Sequence, residues 1–324
     1  MDKKNAIFFS CDKNFFFAFI VALLSLKKHN AALLEHTDVL VYYQGLSEED
    51  KAFANRILPC QFTEYKFAVD TNFEHSNFKI FTQLTFARYE IFDLLDKYAK
   101  ILYIDVDVLI DGDLSYIFDN FGSKGGVAMC KDQQKGHMLI TKNFIKPLPQ
   151  YDMTVPCYNA GICLYTDQIP HRKELRMWCY ERTAEWLENL TCPDQGVLNV
   201  MFQEFHIPVE VMPDTCNCLP SNPKYLDKDR QDVLIHHCAG RGTRLWGYTY
   251  YGPWQEYYQE YLAMGGTPHT QPEHKWLQFI KKHNLQRFDF FERSPDPQMH
   301  PARFLKYMVM WPYKYIRRKH RQEA

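Results

Sequence analysis

Ile101-Leu102-Tyr103-Ile104-Asp105-Val106-Asp107 is the stretch that decides how the rest of the chain is read. Four consecutive apolar and aromatic residues suit a strand buried on both faces. The strand ends in two carboxylates. In extended chain, residues two apart point to the same side, so Asp105 and Asp107 share a face and Val106 takes the other. Two unpaired carboxylates that close repel each other. A divalent cation relieves the repulsion and can also hold a diphosphate. Oxygen ligands favour Mg²⁺ or Mn²⁺. Taken alone, the pair could equally cap the loop before Gly112.

Outward from this strand, the first 130 residues alternate. Residues 6–10, 38–43, 63–67 and 126–130 read as further strands, and residues 14–28, 47–57 and 84–98 as helical stretches. Ser47, with Asp50 three residues on, forms a variant capping box. Strands alternating with helices imply an α/β fold with a mostly parallel sheet and helices on both faces. Such sheets bind ligands at the carboxyl ends of their strands. Two polar clusters sit at such ends, Ser10-Cys11-Asp12-Lys13-Asn14 and Asp105-Val106-Asp107. Neither a Gly-x-Gly-x-x-Gly fingerprint nor a P-loop is present, so neither common phosphate cradle is available.

Beyond Tyr151 the pattern loosens. Residues 160–165 form a short apolar run, 172–189 and 194–205 read as helices, and 233–237 as a strand that ends in His237. An imidazole joined to two carboxylates favours Mn²⁺ over Mg²⁺. The competing role for His237 is a core histidine bonded to a backbone carbonyl. His236, on the opposite face, reads as core. Gly240-Arg241-Gly242 follows, a loop that could bring backbone close to a phosphate.

Charge narrows the class. Lys and Arg number 38 against 39 Asp and Glu, so there is no basic field to suit a nucleic-acid partner. The 10 cysteines include no Cys-x-x-Cys, and Cys216-x-Cys218 is a weak metal signal. They read as thiols in a reducing cytosol. Residues 15–26 resemble a signal-peptide core but are too short to span a bilayer. A strand-like run precedes them, so a buried strand-and-helix unit is expected. Residues 303–321 carry 7 Lys or Arg and no acid, mixed with Phe304, Tyr307, Trp311, Tyr313 and Tyr315. That mixture suits an anionic membrane surface, and with it a chain peripheral to the inner face of the cytoplasmic membrane; the competing reading is a flexible basic tail with no partner.

The sequence resembles the family 8 glycosyltransferases, especially bacterial lipopolysaccharide and capsule sugar transferases. The resemblance runs from about Asn5 to Trp246. Its pieces occur in family order: Asp12-x-Asn14-Phe15, Phe86-Ala87-Arg88, Tyr103-Ile104-Asp105-Val106-Asp107, Tyr158-Asn159-Ala160-Gly161, Asp194-Gln195 with Leu198-Asn199, and His237-x-x-Gly240. Six ordered pieces are far more specific than any one of them.

What the resemblance implies is a GT-A-type, Rossmann-like fold, a UDP-sugar donor, Mn²⁺, and retention of anomeric configuration. Residues 1–250 would be the catalytic domain and 251–324 a C-terminal extension. Asp105, Asp107 and His237 would hold the metal on the diphosphate. Ser10, Asp12, Asn14 and Val106 would line the nucleotide, and Arg88 would pair with the sugar or a carboxylate. Asp132 would bind donor-sugar hydroxyls, and Asn159, Ala160 and Gly161 would line the sugar pocket. Asp194 and Gln195 would lie by the anomeric carbon, and Gly240 by the phosphates. The family's Lys-Pro-Trp after the histidine is absent; Thr243-Arg244-Leu245-Trp246 stands there, one residue longer. Arg244 would then supply the phosphate-binding cation. UDP-glucose or UDP-galactose as donor and a glycan or glycolipid as acceptor follow from the same resemblance. The rival readings are a non-catalytic glycan-binding protein and a phosphotransferase of the haloacid-dehalogenase type. The latter normally has Thr or Val where Leu109 stands.

Overall fold

The computed structural model describes residues 4–71, 73, 82–132, 138–219, 232–239, 245–246 and 251–269. In chain order the elements are β1 (Lys4–Asp12), α1 (Phe16–His29), α2 (Ala31–Leu34), β2 (Thr37–Gln44), α3 (Glu48–Asn55), β3 (Cys60–Glu64), α4 (Ile91–Leu94), β4 (Tyr98–Ile104), β5 (Val108–Ile110), α5 (Ser115–Asn120), β6 (Val127–Lys131), α6 (Leu139–Asn143), β7 (Tyr158–Thr166), α7 (Arg172–Trp186), α8 (Pro193–Glu204), β8 (Val209–Val211), β9 (Ile235–His237) and α9 (Gly252–Ala263).

Seven strands make one sheet, ordered β3-β2-β1-β4-β7-β6-β8. All run the same way except β7, which is antiparallel to both β4 and β6. This is the mostly parallel sheet that the alternation predicts. β1 lies between β2 and β4, and Ala6 to Phe9 have no exposed surface, as their unbroken apolar run requires.

Helices cover both faces. On one, α1 is buried from Phe16 to Leu26. It is apolar all round because it is covered on two sides, by the sheet and by α9. Trp254, Tyr257 and Tyr261 of α9 join the same core, and Phe17 meets Trp246 edge-on with centroids 5.3 Å apart. The run that resembled a signal-peptide core is thus the central helix of one layer. On the other face, Phe8, Tyr103, Met129 and Tyr165 pack with Tyr180 of α7 and Val197 and Met201 of α8. Among the described residues no helix is long and apolar enough to cross a membrane. Residues 303–321 lie outside those described.

Several boundaries differ from the periodicity. β3 occupies Cys60–Glu64 rather than 63–67, placed by its parallel ladder to β2, in which Val39 pairs with Cys60. The stretch 84–98 divides into a 3₁₀ segment, Gln83–Glu90, then α4, and Tyr98 already belongs to β4. The strand at 233–237 shortens to β9. The capping box forms as expected: Ser47 Oγ accepts from Asp50 N at 3.2 Å, and Asp50 accepts from Ser47 N at 3.0 Å.

A separate two-stranded sheet sets the site. β5 pairs antiparallel with β9, Val108 opposite His237. Two side chains next to this ribbon hold β5 and the turn after it. Ser25 Oγ accepts from Ile110 N at 3.2 Å. Asn30 accepts from Leu114 N at 2.7 Å and donates to Gly112 O at 3.1 Å.

Candidate active site

The chain leaves β4 at Ile104 and bends through residues 105–107 before entering β5. The carboxylates therefore converge through a bend, not along one face of extended chain as the sequence suggests. Val106 packs against the core. The β5–β9 ladder then delivers His237, and Cys238 N donates to Asp107 O at 2.8 Å. His237 Nε2 comes to 3.4 Å from Asp107 Oδ1 and 3.6 Å from Asp105 Oδ2. One ligand atom from each of the three residues lies within 4.8 Å of the others. Two carboxylates and one imidazole nitrogen converging at this spacing fit a divalent ion of the Mn²⁺ type. The same cluster without an ion must carry its own repulsion. Burial pushes the Asp105 carboxyl up, against the pull of Arg88 and His237. Burial would push the His237 imidazole down, but its hydrogen bond to Asp107 and the charges of both aspartates raise it.

Arg88 is the second centre. It is buried, and its guanidinium reaches Asp105 Oδ1 at 3.0 Å and Asp194 Oδ2 at 2.8 Å. It also donates to Tyr103 Oη at 2.9 Å and to Ala160 O. Tyr103 Oη in turn donates to Asp105 Oδ1 at 2.7 Å and lies 2.9 Å from Ser10 Oγ. Despite the cost of burial, Asp194, Tyr103 and Asp105 keep the guanidinium firmly charged. Ser10, Arg88, Asp105 and Asp194 are thus one connected group, with Tyr103 as the joint.

β7 supplies the third side. Because it runs antiparallel, its beginning lies beside the end of β4: Ile162 pairs with Ile104, and Asp105 N donates to Gly161 O at 2.9 Å. Gly161 leaves room for the cluster, since a Cβ there would lie 2.2 Å from His237 Cε1 and 2.8 Å from Asp105 Oδ2. Asn159 Oδ1 accepts from Gly161 N at 3.0 Å. Gln195 Oε1 accepts from Ala160 N at 3.2 Å and from Asn159 Nδ2 at 3.4 Å. Gln195 and Asp194 sit in the first turn of α8, which begins with Pro193 at a position where its missing N–H costs nothing.

The remaining expected residues are more scattered. Asp12 ends β1, and its carboxylate accepts from Phe15 N at 3.0 Å, capping the 3₁₀ turn that contains exposed Asn14. Burial raises the Asp12 carboxyl. Asp132 follows β6, with Lys142 Nζ 3.6 Å from its Oδ2. Gly240 and Arg244 lie outside the described residues. Cys216 and Cys218, the weak metal signal, are buried in the core, and Asn217 between them faces His237. Sequence reasoning missed the roles of Tyr103, Lys142, Asn143 and Asn217. Tyr103 alone left a trace, two residues before Asp105 on the same strand.

Comparison with known proteins agrees with this geometry. The sequence profile of Glycosyl transferase family 8 matches residues 6–249. Glycosyltransferase GlyE of Streptococcus pneumoniae serotype 4 is 22% identical over 217 residues, which is 64% of this chain and 47% of that protein. The chain therefore spans about half the length of that curated relative. Among solved structures, the galactosyltransferase LgtC in complex with donor and acceptor sugar analogues has a TM-score of 0.59 at 20% identity, covering 83% of this chain and 98% of that one. The bifunctional glycosyltransferase WbbM has a TM-score of 0.61 at 16% identity, covering 87% of this chain and 52% of that one. At these identities the likeness is one of fold, the GT-A type.

Proposed function

Because the chain belongs to glycosyl transferase family 8, we propose that it is a retaining hexosyltransferase. It moves glucose or galactose from a UDP-sugar to a glycan acceptor of lipopolysaccharide, capsule or a related surface polysaccharide. The observation that carries the reading is the convergence of Asp105, Asp107 and His237 at the carboxyl end of a central strand. Strand ends of this kind are where α/β sheets take their ligands.

Asp105, Asp107 and His237 would hold Mn²⁺. Bound there, the ion would supply charge to stabilise the UDP leaving group. The protein's own part is to place the sugar. Asn159 and the backbone of Ala160 and Gly161 line one wall, and Asp132 reaches the sugar hydroxyls from β6. The seat for the uridine is Ser10, Asp12, Asn14 and Val106 at the ends of β1 and β4. Gly240 and Arg244 complete the phosphate side in this reading.

The acceptor hydroxyl attacks from the face that the leaving group vacates. Its proton goes to a phosphate oxygen of the departing UDP. A double displacement needs a carboxylate free to attack the anomeric carbon. Asp194 is held by Arg88 at 2.8 Å, and the Gln195 amide oxygen already accepts two hydrogen bonds. These commitments favour the front-face route. Trapping a covalent sugar on Asp194 would refute it. The basic and aromatic run at 303–321 supports an acceptor at an anionic membrane surface, on the inner face of the cytoplasmic membrane. Deleting residues 303–324 and finding unchanged membrane pelleting would count against that placement.

The deciding test is UDP release from a panel of UDP-sugars, with Mn²⁺ and with EDTA, for the wild type and Asp107→Ala. Turnover of one sugar that needs Mn²⁺ and is lost in the variant is the expected result. No turnover with any UDP-sugar, together with no Mn²⁺·UDP binding by calorimetry, sinks the reading.

A further inference from the structure

A line of buried amides runs from the metal-ligand cluster into α6, and its polarity can be read from two backbone donors. Gly161 N can only donate, so the Asn159 atom 3.0 Å away is its oxygen. Ala160 N can only donate, so the Gln195 atom 3.2 Å away is likewise oxygen. Every other assignment follows. Asn217 meets Asn159 Oδ1 at 2.8 Å and must present its NH₂ there. Its oxygen therefore faces His237 Nδ1, at 2.9 Å. An amide oxygen cannot donate, so Nδ1 must carry the proton. In the neutral ring, Nε2 is then left with a lone pair, and Nε2 is the atom that faces Asp105 and Asp107. At the far end, Gln195 Nε2 donates to Asn143 Oδ1 at 3.0 Å, and Asn143 Nδ2 donates to Leu139 O at 3.2 Å. Asn143, Asn159, Gln195, Asn217 and His237 are all buried. A flip of Asn143, Gln195 or Asn159 would set donor against donor, and a flip of Asn217 would set its oxygen against Asn159 Oδ1, acceptor against acceptor, in a buried site.

We propose that Asn217 is a positioning residue that fixes His237 in the Nδ1–H tautomer, with Asn143, Gln195 and Asn159 locking the orientation of Asn217. The chain of amides thereby makes Nε2 a metal-ready donor before any ion arrives. It also ties the wall of the sugar pocket, at Asn159 and Gln195, to the ligand set. The inference rests on the metal reading above for its purpose, but not for its geometry.

The test starts with the wild type, free of metal and ¹⁵N-labelled. Long-range ¹H–¹⁵N correlation spectra of the His237 ring are recorded while the pH is raised until the ring is neutral. The expected species is protonated at Nδ1 with a bare Nε2. A neutral ring protonated mainly at Nε2 overturns the proposal, and this readout needs no variant to fold. Asn217→Ala is then compared. Its ring should become a mixture of tautomers, and its affinity for Mn²⁺ in the presence of UDP, read from the electron paramagnetic resonance of free Mn²⁺, should fall about 10–100-fold. A folded variant that keeps both the tautomer and the affinity also overturns it. Failure of the wild type to bind Mn²⁺ with UDP sinks the metal reading instead, while the ring spectrum still decides the tautomer.

Discussion

The Arg88 guanidinium lies 2.8 Å from the Asp194 carboxylate with both side chains nearly sealed from solvent, and the same guanidinium holds Asp105 at 3.0 Å. One cation thus joins the ligand cluster to the first turn of α8. Removing it leaves buried negative charge uncompensated. Arg88→Ala is expected to cost about 3–5 kcal/mol of stability in chemical denaturation. Arg88→Lys should recover only part of this, because an ammonium cannot fork between two carboxylates. A loss below 1 kcal/mol for Arg88→Ala, on the order of an exposed pair, would contradict the buried bridge.

Gly161 stands where any side chain would strike the cluster. A Cβ would lie 2.2 Å from His237 Cε1 and 2.7 Å from its Nδ1. Gly161→Ala is expected to weaken Mn²⁺·UDP binding about 10–100-fold in calorimetry. The overpacking should cost about 1–3 kcal/mol, which thermal melting measures separately. Unchanged metal binding in the folded variant would mean that the histidine can retreat without leaving the site.

Stability of the metal-free protein should depend on pH through the same cluster. The His237 imidazole is raised, so its contribution is complete below the unfolded value of about 6.5 and is lost as pH rises through the folded value. The Asp105 carboxyl is also raised, so it favours the fold only while protonated and turns unfavourable as pH rises past the ordinary carboxylate range. Both effects point the same way. Metal needs both groups deprotonated. The gain in melting temperature from Mn²⁺ and UDP is therefore expected to grow as pH rises through the raised, folded value of His237. A gain that shrinks with rising pH would be the wrong sign.

Asn30 holds the turn after β5 from the end of α1, accepting from Leu114 N at 2.7 Å and donating to Gly112 O at 3.1 Å. Asn30→Ala strands a buried donor, at a cost of about 1–3 kcal/mol. Because β5 carries the pairing that delivers His237, metal affinity should fall along with the melting temperature. Full stability with unaltered metal binding would show that the turn after β5 keeps its place without Asn30.

The parts of this fold that were legible are those in which local chemistry and tertiary placement agree. Ile101–Ile104 has no polar residue to turn outward, so it reads as a central strand, and it is one. Ser47 and Asp50 cap each other whatever surrounds them. β3 was misplaced because its bounds come from the ladder to β2, not from its own half-exposed pattern. The reversed direction of β7 leaves no mark in periodicity, yet it puts Asn159 to Gly161 beside Asp105. Arg88 was legible through a motif, with the sugar or a carboxylate as its expected partner; that it grips two carboxylates at once was not, because Asp194 is distant in sequence. Asn217 carried no motif. Its place is set by Cys218, whose N–H donates to Ile235 O at 2.8 Å and whose carbonyl accepts from His237 N at 3.0 Å.

The β5–β9 ribbon has a further consequence. It is three residues long on each side, and among the described strand pairings it joins the segments furthest apart in sequence. A short seam of this kind can part without disturbing the seven-stranded sheet, and such local opening requires only a fraction of the free energy of global unfolding. Parting it withdraws His237 from both aspartates at once. The residence time of an ion would then be governed by how often this seam breathes, and amide exchange at Cys238, whose N–H bonds to Asp107 O, would keep the same clock.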